Sequence, residues 1–106
     1  MPATIGYLTG QTNGQFLDIG NSYIEAHNPS GLESVQIVVN NDGNSQSNVI
    51  YKVDGTLGGT AKEGKIKIPS LEQRSITLTL EAAGEKLWVK TEAGNVTGYG
   101  NFRRFV

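Results

Sequence analysis

Ser75-Ile76-Thr77-Leu78-Thr79-Leu80 carries the reading of the fold. Polar and apolar side chains alternate there without a break, and a period of two places Ile76, Leu78 and Leu80 on one face of an extended strand. Four further segments repeat the pattern: Val35, Ile37 and Val39 alternate with Ser34 and Gln36, and Val49, Tyr51 and Val53 with Asn48 and Lys52. Ile66 and Ile68 are separated by Lys67, and Leu87 and Val89 by Trp88. Each reads as a strand with one face in a core.

Working outward, Thr4 to Thr9, Ser22 to Ala26 and Val96 to Phe105 carry aromatic and β-branched residues interrupted by Gly, which gives weaker strands and a total of about eight. Between them stand Asn28-Pro29-Ser30-Gly31, Asp54-Gly55, Pro69-Ser70, Ala83-Gly84 and Ala93-Gly94-Asn95, turn chemistry at the spacing a sandwich needs. Asn41-Asp42-Gly43-Asn44 predicts a hairpin. Ser70 with Gln73 resembles a capping box, but the Ile76 alternation begins too soon for more than one turn. Gly10 to Gly14 and Gly55 to Gly64 are polar and Gly-rich enough to be mobile loops.

The expected fold is all-β: one immunoglobulin-like antiparallel β-sandwich of seven to eight strands spanning residues 1–106. Residues 1–15 are a candidate N-terminal arm and 101–106 a candidate C-terminal contact tail. A chain of 106 residues suits one domain with one core. Its 14 glycines would each cost a helix interior about 1 kcal/mol, and they suit tight turns instead.

Nine Lys and Arg against ten Asp and Glu leave a net charge of −1, which provides no long-range field for nucleic acid or an anionic membrane. No apolar run reaches the roughly 20 residues that span a bilayer, and Met1-Pro2-Ala3-Thr4 lacks the basic and apolar regions of a signal peptide. A chain made and used soluble is expected. With no cysteine there is no disulfide, thiolate nucleophile or cysteine-held metal.

Motifs for chemistry are thin. Gly59-Thr60-Ala61-Lys62-Glu63-Gly64-Lys65 matches a phosphate-binding loop in spacing, yet Ile66 stands where Ser or Thr must reach magnesium, and a strand follows where a helix is required. Asn40 to Asn44 has the oxygen-rich look of a calcium loop but lacks its further carboxylates. His27 is the one histidine and reads as a turn-side or buried structural residue. Asn95-Val96-Thr97 is a glycosylation sequon, relevant only to a secreted eukaryotic protein. Carboxylates are scattered singly, so no acid and base pair follows from spacing. No enzyme, no metal and no cofactor are expected.

Binding features remain. If Leu87 and Val89 face inward, Trp88 faces outward between Lys86 and Lys90 as an interface anchor, or else it lies capped under its neighbours' alkyl stems. Phe102, Arg103, Arg104 and Phe105 put two aromatics and two arginines in the last six residues, either a contact tail or a plain last strand. Ile5, Tyr7 and Leu8 of the N-terminal segment are the second candidate contact, as an arm or an edge strand. Trp88, Tyr51 and Tyr99 would stack on sugar rings if they shared one face.

The run from Ile76 to Lys90, then Ala93-Gly94-Asn95-Val96 and Tyr99-Gly100, resembles the closing strands of small immunoglobulin-like decoration or cement proteins of tailed bacteriophage virions. Tyr23 to Ser30, followed by Val35 to Val39, resembles their first half, so the likeness covers about residues 20 to 100. It rests mainly on alternation and turns, which any short sandwich needs, and the Phe102 to Val106 extension departs from it. The resemblance implies a protein without catalytic residues, made in the host cytoplasm and placed on the outer capsid surface. There it would bind the major capsid protein and clamp neighbouring subunits. A homo-oligomer, with a trimer one form of it, is implied as well. A tail, connector or fibre subunit and a carbohydrate or host-surface binding module are the alternatives.

Overall fold

Burial along the longest strands follows the alternation: Val35, Ile37 and Val39 are fully buried, while Gln36 between them is exposed. In the computed structural model, which describes residues 4–12, 15–54, 62–81, 83–92 and 96–104, the strands are β1 (Thr4–Tyr7), β2 (Leu17–Ile19), β3 (Ile24–His27), β4 (Glu33–Asn41), β5 (Ser47–Val53), β6 (Lys62–Ile68), β7 (Gln73–Leu80), β8 (Leu87–Thr91) and β9 (Val96–Arg104). They form two antiparallel sheets packed as a sandwich, with nine strands where seven to eight are expected. Sheet A has the order β1-β9-β4-β7, with β2 also beside β9, and sheet B the order β3-β8-β5-β6. Val35, Ile37, Val39, Ile76 and Leu80 of sheet A meet Val49, Val53, Leu87 and Val89 of sheet B across the core. Burying each such side chain contributes about 1.5 to 3 kcal/mol.

The wiring is that of a jelly roll, in which successive strands cross from sheet to sheet: β2, β9, β4 and β7 face β3, β8, β5 and β6. This corrects the expected hairpin at Asn41 to Asn44, because β4 lies in sheet A and β5 in sheet B. The residues there do make a turn, with the Gly43 N–H donating to Asn41 Oδ1 at 3.0 Å. Asn41 Nδ2 then donates to the Ser45 and Ile68 carbonyls at 2.7 and 3.0 Å, and Ser70 Oγ donates to the Gly43 carbonyl at 2.8 Å. A sheet-crossing corner is thereby stitched to the β6–β7 corner. Among the described residues, β5 and β6 are the only consecutive strands that pair directly.

The described parts of both proposed termini belong to the sandwich. In the segment assigned to an arm, Thr4 to Tyr7 pair with Arg104 to Asn101 of β9, and Gly10 N–H donates to the Ala26 carbonyl at 3.0 Å. Between β1 and β2 the edge of β9 has no strand beside Gly100, and the Gln11 side chain takes its place: Oε1 accepts from Gly100 N–H at 2.8 Å. Gly100 itself is obligatory, since a Cβ there would lie 2.0 Å from the Gln36 carbonyl oxygen. In the segment assigned to a tail, Asn101 to Arg104 complete β9 and pair with β4 as well as β1. Of the two stretches expected as mobile loops, Gly10 packs on β3 and Lys62 to Gly64 open β6, while 13–14 and 55–61 lie outside the described residues.

Candidate functional site

Two arrangements stand out, one buried and one on the surface. At the end of the sandwich where β1 runs on past Tyr7, His27 and Glu33 are both buried, with 1% and 0% exposure. His27 Nε2 lies 2.5 Å from Glu33 Oε1, and the Thr9 backbone N–H reaches His27 Nδ1 at 3.2 Å. An amide N–H can only donate, so Nδ1 holds the lone pair and Nε2 carries the hydrogen given to Glu33. Glu33 Oε2 accepts from the Ser30 N–H at 2.7 Å and from Arg104 Nε at 3.0 Å. Burial pushes the Glu33 carboxyl up, but donation from His27, Ser30 and Arg104 outweighs it and holds the group below the usual glutamate value. Phe102 packs its ring 4.9 Å from that of His27, and Arg104 lies over the Phe102 ring with Cζ 5.3 Å from its centroid. His27 and Glu33 are closed off from solvent, and the cluster acts as a rivet joining β3, β4 and β9.

The sequence-derived contact residues therefore separate. Phe102 and Arg104 face inward into the rivet, and Leu8, 1% exposed, is a core residue and not a surface contact. Arg103, Ile5 and Tyr7 face solvent on the outer side of sheet A, where Ile5 lies beside Arg103 and Tyr7 beside Asn101. Phe105 lies outside the described residues. Two aromatics not named for this surface join it: Tyr99 pairs with Val38 on the same outer side, and Phe16 stacks on Tyr99 at 5.1 Å between ring centroids. Ile5, Tyr7 and Phe16 are each more than 60% exposed. The alternation itself could have made this division, since Phe102 and Arg104 share parity with the buried Val96 and Arg103 shares it with Tyr99.

Trp88 points to the outer side of sheet B as expected. Its indole Nε1–H donates to Asp54 Oδ2 at 2.8 Å, and Lys52 and Lys86 each place Nζ 5.9 Å from the ring, so the half-buried ring is capped by its neighbours' stems. Tyr23 lies beside it, with Lys52 and Lys90 both 4.6 Å from its ring centroid. Burial, then the Glu63 carboxylate that its hydroxyl meets at 3.4 Å, raise the Tyr23 pKa. Tyr51 faces the core and lies over Gly64, where a Cβ would meet its ring at 2.3 Å. Trp88, Tyr51 and Tyr99 thus point in three directions and offer no shared sugar platform.

Gly64 and Lys65 of the phosphate-loop match lie within β6. Among the described residues no three His, Cys, Asp or Glu are grouped to hold a metal ion, and no helix is long and apolar enough to cross a membrane.

One strained position is a further surface feature. Glu72 N–H closes a turn on the Pro69 carbonyl at 3.2 Å, and its third residue, Leu71, has φ 59° and is 73% exposed. That backbone region suits Gly or Asn. Leu71→Gly is expected to raise stability by about 0.5 to 1 kcal/mol, because relief of the left-handed strain outweighs the added freedom of the unfolded chain. Thermal unfolding checks this, with a midpoint a few degrees higher.

No protein-family model matches the sequence, and no curated protein matches it. A solved structure described as Bacillus endospore appendages that form a family of disulfide-linked pili is similar in fold, with a TM-score of 0.61. The match is 11% identical and covers 99% of this chain and 88% of that one. This sequence has no cysteine, so it cannot form disulfide links of its own.

Proposed function

We propose that the chain is a non-catalytic structural protein of a tailed-phage virion, a decoration or cement protein that binds the major capsid protein on the outer capsid surface and works as a homo-oligomer. The observation that carries this reading is the outer face of sheet A. Its β4, β7 and β9 positions are Ser, Thr, Gln, Asn, Val and Tyr, and Arg103 and Asp18 are the only charged side chains at its outward register positions among the described residues. Contact surfaces are depleted in charge at their centres and enriched in aromatics and Arg. Soluble surfaces ordinarily carry many charges, and sheet B does so with Lys52, Lys65, Lys67, Lys90, Glu25 and Glu63. A protein that binds only the assembled capsid stabilises it by mass action.

The test mixes purified protein with undecorated particles and measures co-sedimentation. Tyr7→Glu and Tyr99→Glu, both on strand faces away from the core, are expected to lower the bound fraction at least tenfold with unchanged thermal unfolding. Full binding by both variants rejects this face as the contact.

A fibre subunit is the second reading. It is favoured by the fold similarity to a pilus protein and by β7, an eight-residue edge strand that among the described residues pairs with β4 alone. An open edge of this length accepts a strand from another chain. Filaments in electron micrographs of the concentrated protein would favour it over the capsid reading.

A further inference from the structure

We infer that the outer face of sheet A is covered by a second copy of this chain, related to the first by a two-fold axis. The inference rests on the reading above only in taking this face for a contact, and it names the occupant.

Charge selects the partner surface. Seating sheet A of one copy on sheet B of another would bury Lys52, Lys67 and Lys90 against Ser, Thr and Gln, which offer no opposite charge, and a charge taken from water without a partner costs several kcal/mol. Seating sheet A on sheet A brings in one Asp18 and one Arg103 per copy.

Their placement fits a two-fold. Asp18 lies beside Thr97 near the start of β9, and Arg103 lies near its end, about 20 Å away at the rise of an extended strand. Tyr99 sits between them, with Phe16 stacked on it and Tyr7 one position along the neighbouring strand. A two-fold axis in the plane of the face, crossing β9 beyond Tyr99, reverses the strand direction and sets Arg103 of each copy over the Asp18 end of the other. In an isologous contact each such pair occurs twice. Aromatics then occupy the centre and opposite charges the rim, the distribution seen in stable interfaces. A standard interface covers roughly 800 Å² on each partner. A face of this order is available: β4 and β9 each run nine residues, about 30 Å, and the side-by-side positions of β1 or β2, β9, β4 and β7 add about 19 Å across, before side chains.

Sedimentation velocity on the full chain, from low to high micromolar concentration, tests this. The wild type is expected to be a dimer, and Tyr99→Glu to weaken association at least tenfold with the thermal midpoint of the monomer fold unchanged. Asp18→Arg and Arg103→Asp are each expected to weaken the dimer, and the double variant to restore it. A wild type that stays monomeric, or a dimer indifferent to Tyr99→Glu, overturns the inference. A dimer that loses affinity in Tyr99→Glu but is not restored by the double variant overturns the two-fold arrangement. If the wild type is monomeric while Tyr99→Glu still abolishes particle binding, a capsid surface is the occupant and the functional reading survives alone. If Tyr99→Glu breaks the dimer and leaves particle binding intact, the second copy stands and the capsid contact on this face falls.

Discussion

Removing Asn101 to Val106 is expected to leave a chain with no cooperative unfolding transition at room temperature. The deletion takes away the half of β9 that pairs with β1 on one side and β4 on the other. It also removes the Phe102 ring from His27 and the Arg104 donor from Glu33. Phe102 is half-buried, so its loss costs less than the roughly 3 to 5 kcal/mol of a fully buried Phe, but the lost strand pairing and the lost Glu33 donor add to it, against a total stability of about 5 to 15 kcal/mol for a domain. Circular dichroism during heating checks this, and a sharp transition within a few degrees of the full chain would show that the segment is dispensable. A binding defect in such a truncation therefore says nothing about a contact tail, whereas Arg103→Asp alters the surface and leaves the strand in place.

Glu33→Gln is expected to lower stability at neutral pH by about 3 kcal/mol, the scale seen when one member of a buried ionic cluster is neutralised. Both carboxylate oxygens receive donors, from His27 on one side and from Ser30 and Arg104 on the other. An amide places an NH₂ against one of these sets, so one donor faces another. The effect depends on pH in a definite sense. The carboxyl of Glu33 titrates below its ordinary 4.5 in the folded protein, so its contribution is fully present above that value and disappears as pH falls through the lower folded value. Denaturant titrations should show wild type and variant separated at pH 7 and converging on acidification below 4.5. An equal separation at neutral and strongly acid pH would contradict the assignment.

The sandwich was legible wherever alternation ran for five residues or more, as in β4, β5 and β7, because inward positions had to be apolar. β2 escaped, since Leu17-Asp18-Ile19 offers a single alternation inside a Gly-rich stretch. The corner at Asn41 failed for another reason: a local turn has the same residues whether the next strand returns beside the first or crosses to the facing sheet. Trp88 was legible as an outward residue from its buried neighbours. His27 was legible as structural, but its partner Glu33 was not. Arg104 lies 71 residues from Glu33, and no spacing rule connects a carboxylate after a turn with an arginine in the last strand. Phe16 and Tyr99 meet across a comparable distance and were missed as a pair for the same reason.

The pairing of β1 with β9 has a consequence for biosynthesis. β1 finds its hydrogen-bond partners only in β9, which is translated after the strands between them, so a ribosome-bound chain holds β1 unmatched until β9 has emerged. Closure then waits on long-range search, which is slow for sheet topologies of this kind. Chaperone binding or crowding by sibling chains has its window in that interval.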